Sequence, residues 1–366
     1  MKILFVLDYF TPHKGLETVF ENIIQRLTNK YEILILTSHF DKKLEKIETK
    51  PKTNNYEIVN MTIYRTKTRS FIINSILLAK ILKNNKDIKI IHTSTYGAIP
   101  ASILLLFHKK VILTIHEIFK LWNIYKKFFF FYRIFENLIF QFPYNIYHCV
   151  STYTLNSLRI SYNIQDKKLK MIHNVDTNFW NPEKIDTEKI KNFKKEYLEN
   201  SIILLYYHAK SKGIDYLIQA IPEILKTNIK IKIIFNLIDC KRKNKIKQKV
   251  FNYKKNNPEK ILIFDFKMED LRNLIALSDI VIAPSISEFG SVHTESVAMK
   301  TLLTTNIASI PEVARKVKFI NPGSSQEIKK IQEILEKIEN IPTKTFSWDN
   351  NVNQIEKIYQ DLLHQI

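Results

Sequence analysis

Short runs of β-branched and aliphatic residues alternate with helical stretches from one end of this chain to the other, and that alternation limits its fold more than any other feature. In the first half it predicts strands at Lys2–Leu7, Tyr31–Thr37, Glu57–Arg65, Ile88–Thr93, Lys110–Ile115, Asn145–Val150 and Lys168–Ile172, with helices at Leu16–Thr28, Phe71–Leu82 and Thr152–Tyr162 among them. The second half repeats the plan. Strands are predicted at Ile202–Tyr207, Ile229–Phe235, Lys260–Phe264, Asp279–Ala283 and Leu302–Thr305, and helices at Gly213–Leu225, Met268–Leu277 and Val292–Lys300. Strands that alternate with helices build parallel sheets covered on both faces. About a dozen strands are too many for one comfortable open sheet. The periodicity breaks across Asp176–Lys195, where Asn178, Asn181-Pro182 and a charged stretch intervene. Two doubly wound domains with a cleft between them follow, and ligands in such sheets bind beyond the carboxyl ends of the strands. The last segment, Trp348–Ile366, has Val352, Ile355, Ile358, Tyr359, Leu362 and Leu363 at helical spacing, with Asp349 as its N-cap.

Composition removes whole classes. A hydrophobic share of 45% and a charged share of 25% permit a substantial core and exclude a disordered or coiled-coil chain. The two cysteines, Cys149 and Cys240, form neither a metal-ligand spacing nor a disulfide framework, which fits a reducing compartment. The formal net charge of +20 suits an anionic partner such as a nucleotide, a nucleic acid or an acidic lipid. The basic residues are scattered, however, and Lys, Asn and Ile are abundant throughout, so compositional bias carries the larger share of that charge. No secretory signal is expected from Met1-Lys2 and the short apolar run after them, and the uncharged run Ile90–His108 reads as strand, loop and buried helix rather than a membrane span.

Glycine is scarce: there are five, where about 26 are usual for this length. Gly15 closes the first strand-to-helix turn, Asp8-Tyr9-Phe10-Thr11-Pro12-His13-Lys14-Gly15-Leu16-Glu17. That turn is not the glycine fingerprint of a dinucleotide site, and no P-loop occurs elsewhere. The strand Val111–Ile115 ends in His116-Glu117, polar groups at a cleft-facing position, although a lone histidine is more often a structural hydrogen-bond partner. Met171–Pro182, with Asn174, Asp176, Asn178 and Asn181, reads as a strand and an Asn/Asp turn. His208-Ala209-Lys210-Ser211-Lys212-Gly213 leads into a helix. Lysines there oppose the positive helix end, a conflict that a bound phosphate would remove and that a solvated charge cluster would merely tolerate. Finally, Ile282–Met299 is a buried strand, a loop with Glu288 and Gly290, and a helix with Glu295 near its start. Two carboxylates flanking free N–H groups can hold a polyhydroxylated, anionic ligand. Dipole compensation at Glu295 is the plainer alternative.

Taken in order, these segments resemble a GT-B-fold glycosyltransferase of family 4, the retaining nucleotide-sugar enzymes. The resemblance runs over nearly the whole chain. It rests on the Pro12–Gly15 turn, Thr114-Ile115-His116-Glu117, Ile172-His173-Asn174-Val175-Asp176 with Phe179 and Pro182, and Lys212-Gly213-Ile214-Asp215 with Leu217-Ile218 and Ala220. Pro284-Ser285 through Ala298-Met299, Ile310-Pro311-Glu312-Val313 and Phe346-Ser347-Trp348 complete it. It implies two Rossmann-like parallel-sheet domains facing a central cleft: residues 1–178 on the acceptor side and 179–366 binding the nucleotide sugar, with the last helix, about 348–366, packing back on the first domain. The implied reaction moves a sugar from a UDP- or GDP-sugar to a glycan or lipid-linked acceptor with anomeric retention. No metal is implied.

By the same resemblance the catalytic residues are His116, Lys212 and Glu288. Lys212 neutralises the leaving diphosphate, Glu288 binds a donor sugar hydroxyl, Glu295 binds the donor ribose, and His116 lies near the transferred sugar. His208, Gly213, Phe289, Gly290, Ser291 and Val292 complete the donor site, and Gly15, Glu17, His116 and Glu117 form the acceptor side. A cation and a helix N-terminus aimed at the departing phosphate are the main catalytic need. This chain departs from the family in places. Glu288 and Glu295 stand one step closer than usual, Tyr206-Tyr207-His208 replaces a Gly-Arg pair, Val175 follows Asn174 where glycine is usual, and Leu16 replaces the second glycine of the first loop.

Ile118–Pro143 interleaves Trp122, Tyr125, Phe128–Phe131, Tyr132, Phe135 and Phe140 with Lys120, Lys126, Lys127 and Arg133. It reads equally as a segment meeting an anionic membrane surface and as a packed helix with snorkelling lysines. The expected location is therefore cytoplasmic, peripheral at the membrane face. Nucleic acid is not an expected partner, for want of a recognised module. The competing class is a non-catalytic GT-B module that binds nucleotide or glycan, or supports a partner; a GT-B epimerase is a third option.

Overall fold

The computed structural model describes residues 1–8, 10, 15–38, 47–49, 52–53, 56–57, 60–66, 70–94, 101, 109–116, 118, 130–173, 182–197, 202–207, 214–226, 230–236, 245–264, 268–284, 301–305, 318–320 and 347–364. The chain divides into two compact units, Met1–Val175 with Phe346–Ile366, and Asp176–Thr345. The predicted helix Val292–Lys300 lies outside the described residues, as do Asn174–Asn181 and Ile310–Val313.

The first unit holds β1 (Lys2–Leu7), β2 (Glu32–Ser38), β3 (Ile47–Thr49), β4 (Lys52–Thr53), β5 (Tyr56–Glu57), β6 (Met61–Thr66), β7 (Ile88–Ser94), β8 (Lys110–Ile115), β9 (Ile146–Cys149) and β10 (Leu169–Met171). Eight of them form one sheet in the order β10-β9-β8-β7-β1-β2-β6-β3, parallel except for β3, which runs antiparallel to β6 at the edge. β4 and β5 form a separate small ladder. β1 shows why such sequences are continuous apolar runs: Ile3, Leu4, Phe5, Val6 and Leu7 are all buried, because helices cover both faces of the sheet.

On one face lies α1 (Gly15–Leu27), which buries Phe20, Ile23, Ile24 and Leu27, together with the chain's last helix, Trp348–His364. That helix sets Val352, Ile355, Ile358, Tyr359 and Leu362 into the same core. The opposite core takes Leu78 and Ile81 from α2 (Phe71–Asn84), Ile139 and Phe140 from α3 (Phe130–Gln141), and Leu158 from α4 (Thr152–Tyr162). The Ser151 hydroxyl caps α4 by accepting from Thr154 N–H at 3.0 Å. The aromatic segment read from sequence as interfacial or packed thus divides: most of its second half forms α3, with Ile139 and Phe140 in the core, while residues 119–129 lie outside the described set.

The second unit holds α5 (Thr187–Tyr197), β11 (Ile202–Tyr207), α6 (Ile214–Leu225), β12 (Ile231–Asn236), α7 (Lys245–Asn256), β13 (Ile261–Phe264), α8 (Met268–Leu277), β14 (Ile280–Ala283), β15 (Thr301–Thr305) and β16 (Lys318–Ile320). The last helix is α9. The strands form a six-stranded parallel sheet in the order β13-β12-β11-β14-β15-β16. α6 supplies most of the helical side of its core, burying Ile214, Leu217, Ile218, Ala220, Ile221 and Ile224. The charged stretch that interrupts the periodicity after Asp176 is itself a helix, α5. It is held by ion pairing of Lys189 with Asp270 and by the Asn273 side-chain carbonyl, which accepts from Asp186 N–H at 3.0 Å.

Both sheets are doubly wound. In the first, the strand order reverses at β1, flanked by β2 and β7; in the second it reverses at β11, flanked by β12 and β14. Such reversal points are where open α/β sheets take ligands, at the carboxyl ends.

Candidate active site

In the first unit the carboxyl ends of β7, β8 and β9 carry polar side chains on the face shared with α1 and α9. Side chains alternate across a strand, so His92, Thr114 and His148 fall on the same face as Ile90, Ile112 and Ile146 of the α1/α9 core. None of the three is more than 1% exposed. They form a continuous series of contacts. His92 Nδ1 is 2.6 Å from the Tyr359 hydroxyl of α9, and His92 Nε2 is 2.6 Å from Thr114 Oγ1. Thr114 Oγ1 is 2.9 Å from His148 Nδ1, and His148 Nε2 is 3.2 Å from the Ile172 carbonyl just past β10. Phe5 stacks on His92 at 5.1 Å between centroids, and Phe20 meets it edge-on at 5.6 Å.

His116 follows β8 directly, two positions beyond Thr114. Its ring meets Phe20 of α1 at 5.8 Å. Burial, and then the nearby His148, pull the His116 pKa down to about 3. Burial likewise draws His148 down to about 4, although its bond to the Ile172 carbonyl opposes the shift. His92 falls well below the usual imidazole range, first from burial and then from His148 and His116. All three rings are therefore neutral at physiological pH. A neutral imidazole offers one donor and one acceptor.

Among the described residues, the His116 Nε2 atom is buried and has no hydrogen-bond partner. The same holds for the hydroxyls of Thr37 and Ser38 at the end of β2 and of Ser94 at the end of β7. These four atoms lie at or just past the carboxyl ends of β2, β7 and β8, strands near the reversal point, and buried polar groups require a partner. A cavity of about 200 Å³ lined by Phe140, Gln141, Tyr147, Asn163, Gln165 and Lys168 belongs to the other end of this sheet, at the start of β9.

Of the residues singled out from sequence, Gly15 opens α1 and Glu17 lies in its first turn, so they stand at the same end of the sheet as His116. Glu117, His208, Lys212, Gly213, Glu288, Phe289, Gly290, Ser291, Val292 and Glu295 lie outside the described residues. The strands that precede them are described. β11 and β14 are parallel neighbours, with Leu204 opposite Ile280 and Leu205 opposite Val281. The segment with Lys212 follows β11, and the segment with Glu288 follows β14 and the buried Pro284. Sequence reasoning missed His92, His148 and Tyr359. The available signal was the recurrence of polar side chains at equivalent positions of three adjacent apolar strands. Among the described residues no group of three His, Cys, Asp or Glu side chains converges as metal ligands would.

The profile of Glycosyltransferase Family 4 matches residues 13–178, and that of Glycosyl transferases group 1 matches residues 186–357. Between them they span nearly the whole chain. The chain is a glycosyltransferase related to both families. Both profiles describe glycosyl transferases, so the reaction class is the transfer of a sugar. No curated protein sequence matches the transferase at a significant level. Its fold is shared widely. A glycosyltransferase from Rickettsia africae superposes with a TM-score of 0.74 at 20% identity, covering 99% of this chain and 98% of that one. HepE of Anabaena, in complex with UDP, gives 0.73 at 15% identity over all of both chains. Sucrose-phosphate synthase of Thermosynechococcus elongatus gives 0.77 at 13% identity, also over all of both. Two Rossmann-like units, the GT-B fold, are thus common to all three.

Proposed function

We propose that this transferase takes its sugar from a UDP- or GDP-sugar, bound by the second unit, and passes it to a glycan or lipid-linked acceptor bound by the first. In this reading Lys212 neutralises the departing diphosphate, assisted by His208 and the start of α6. Glu295 holds the ribose and Glu288 a sugar hydroxyl, while Gly213, Phe289, Gly290, Ser291 and Val292 wall the donor. His116 hydrogen-bonds the transferred sugar, beside Gly15, Glu17 and Glu117 on the acceptor side. The observation that carries the reading is the reversal point of the second sheet. The segments with Lys212 and with Glu288 follow two adjacent parallel strands in sequence, and the carboxyl ends beside a reversal point are where such sheets take ligands. The neutral, unpartnered His116 Nε2 supports a hydroxyl ligand rather than an anionic one. UDP in the HepE complex favours a uridine donor. A panel of UDP-, GDP- and ADP-sugars, scored by thermal shift and by donor turnover, tests this. Stabilisation and turnover with one of them is expected, and no response from any rejects the donor assignment.

A lipid-linked acceptor at an anionic membrane surface is the second part of the proposal. Ile72, Ile73 and Ile76 of α2 are 66%, 47% and 65% exposed. Lys80 and Lys83 continue that exposed face, one and two turns further on. Ile134 and Leu138 of α3 are exposed as well, and both helices cover the same face of the first sheet. Apolar side chains flanked by lysine suit the headgroup boundary of an anionic bilayer. No helix among the described residues is long and apolar enough to cross a membrane. Flotation with anionic but not with neutral vesicles is the expected result, and an Ile72→Ser, Ile76→Ser variant that floats unchanged would reject this surface.

A further inference from the structure

The buried series from Tyr359 to Ile172 has only one arrangement of protons. The Ile172 carbonyl can only accept, so His148 Nε2 carries the hydrogen of that bond. A neutral His148 then has its lone pair on Nδ1, and Thr114 must donate to it at 2.9 Å. With its hydrogen committed, the Thr114 oxygen accepts at 2.6 Å from His92 Nε2–H. His92 Nδ1 in turn accepts at 2.6 Å from the Tyr359 hydroxyl. Each of the three inner groups, His92, Thr114 and His148, is used once as donor and once as acceptor in this line, and reversing any single link leaves two hydrogens or two lone pairs in opposition. The line begins on the last helix of the chain, crosses β7, β8 and β9, and ends just beyond β10, spanning residues 267 apart in sequence at its first link.

We infer that Tyr359, His92, Thr114 and His148 form a directional hydrogen-bond network that positions His116 for sugar transfer. The inference rests on the reading of His116 as a group that touches the sugar. His116 lies two positions beyond Thr114, just past the end of β8, its Nε2 has no hydrogen-bond partner among the described residues, and Phe20 meets both its ring and that of His92. Its ring is therefore oriented by what holds the end of β8, and by Phe20 at 5.8 Å. A hydroxyl fixed between two imidazoles from the flanking strands β7 and β9 supplies that hold. An apolar Thr→Val change would leave Nε2–H of His92 and the Nδ1 lone pair of His148 buried without partners. The Ile172 carbonyl, the far anchor, lies three residues before Val175, where the N-terminal stretch of the first unit ends. These four are positioning residues: they act through His116 and the strand ends.

Two measurements test the network separately from the transfer reaction. The first is nitrogen-detected NMR of the histidine rings in the full chain between pH 6 and 8. His92 and His148 should both be neutral with hydrogen on Nε2, and finding either ring in the Nδ1–H form, or titrating in that range, would overturn the network even if the protein proved to transfer nothing. The second is kinetic. Thr114→Val should lower kcat about 10-fold or more with the donor KM within about 2-fold, as expected when a reacting geometry is disturbed while binding is kept. Thr114→Ser, which retains the hydroxyl, should recover most of the loss, and Tyr359→Phe, which removes one link at the far end, should give a smaller fall of the same kind. Wild-type kcat in both Thr114→Val and Tyr359→Phe would show that the network serves stability alone and would overturn the positioning role.

Discussion

In the first sheet the strands themselves bring polar side chains to their carboxyl ends: His92 on β7, Thr114 on β8, His148 on β9, with His116 one step beyond β8. In the second sheet the two strands at the reversal point, β11 and β14, carry no histidine, threonine or charged side chain. β14 is Ile280-Val281-Ile282-Ala283, all buried, and of the β12 side chains only Asn236 is both buried and polar. There the candidate chemistry falls on the segments that follow the strands, with Lys212 after β11 and Glu288 and Glu295 after β14. The two sheets share a reversal at a central strand, yet one fixes its polar groups by ladder register and core packing, while the other hands them to connections. Register fixes a side chain to within the strand geometry. A connection can instead approach and enclose a ligand, which suits a donor that must enter and leave.

The sharpest test of that division is Lys212→Ala. Removing a cation from a departing diphosphate should lower kcat about 10³-fold, near the upper end of losses for a single electrostatic contact in a catalytic site. The donor KM should change far less. Near-wild-type turnover measured with the preferred donor would break the assignment of leaving-group chemistry to the second unit.

The first unit has its own signature, the response to acid. In the unfolded chain each imidazole takes up a proton near pH 6.5, whereas in the folded unit His148 does so only at about 4. Between those values the unfolded state binds more protons. Stability is therefore full above about pH 6.5 and is lost as pH falls, by about 1.4 kcal/mol per pH unit for each buried imidazole. His92 shifts in the same direction. The described histidines all belong to the first unit. Hydrogen exchange followed from pH 7 to 5 should thus show protection declining in β1, β7 and β8 before β11 and β12. Equal loss in both sheets would contradict the histidine origin of the effect.

His116→Ala comes next, with an expected fall of about 10²-fold in kcat, a modest value for losing one positioned polar group. Because its pKa lies at about 3, the ring stays neutral across the working range, so the pH–rate profile should show no ionisation that disappears in the variant. A lost limb between pH 5 and 7 would mean that His116 works as a proton carrier and would blur the contrast with Lys212, whose task is purely electrostatic.

Legibility in the sequence followed burial. The strands of both sheets are apolar on both faces and bounded by turns, so β1, β7, β8, β11 and β14 emerge from the chain with nearly their observed bounds. The helices α5 and α7 do not. α7 is Lys245-Ile246-Lys247-Gln248-Lys249-Val250 and onward, with Val250 fully buried, and so few apolar positions give no period to read. The edge strand β3 is three residues long with half-exposed side chains, which leaves no pattern either. At the candidate site the motif around His116 was visible because it is contiguous. The network behind it was not, because Tyr359 reaches His92 only through the packing of α9 on the first sheet, a contact set by the fold and separated by most of the chain.

The smallest expected effect concerns how α9 is held. Two kinds of contact are available. One is the buried face, with Ile355 1% and Tyr359 0% exposed. The other is the rim, where Arg26 Nε meets Asp349 at 2.6 Å with the carboxylate 77% exposed, and where Lys30 and Tyr31 bond Glu356 at 2.8 and 3.0 Å. An exposed pair contributes at most about 1 kcal/mol, because solvent screens it and two long side chains must be ordered. Asp349 also lies in the first turn of α9, where a negative charge favours the helix dipole, so Asp349→Ala alone mixes two effects. A double-mutant cycle with Arg26→Ala separates them, and its coupling should be about 0.5 kcal/mol by chemical denaturation. A coupling several times larger would mean that surface charge fastens the helix. The first sheet would then depend, like the second, on groups outside its core, and the contrast between a register-built and a connection-built half would lose its basis.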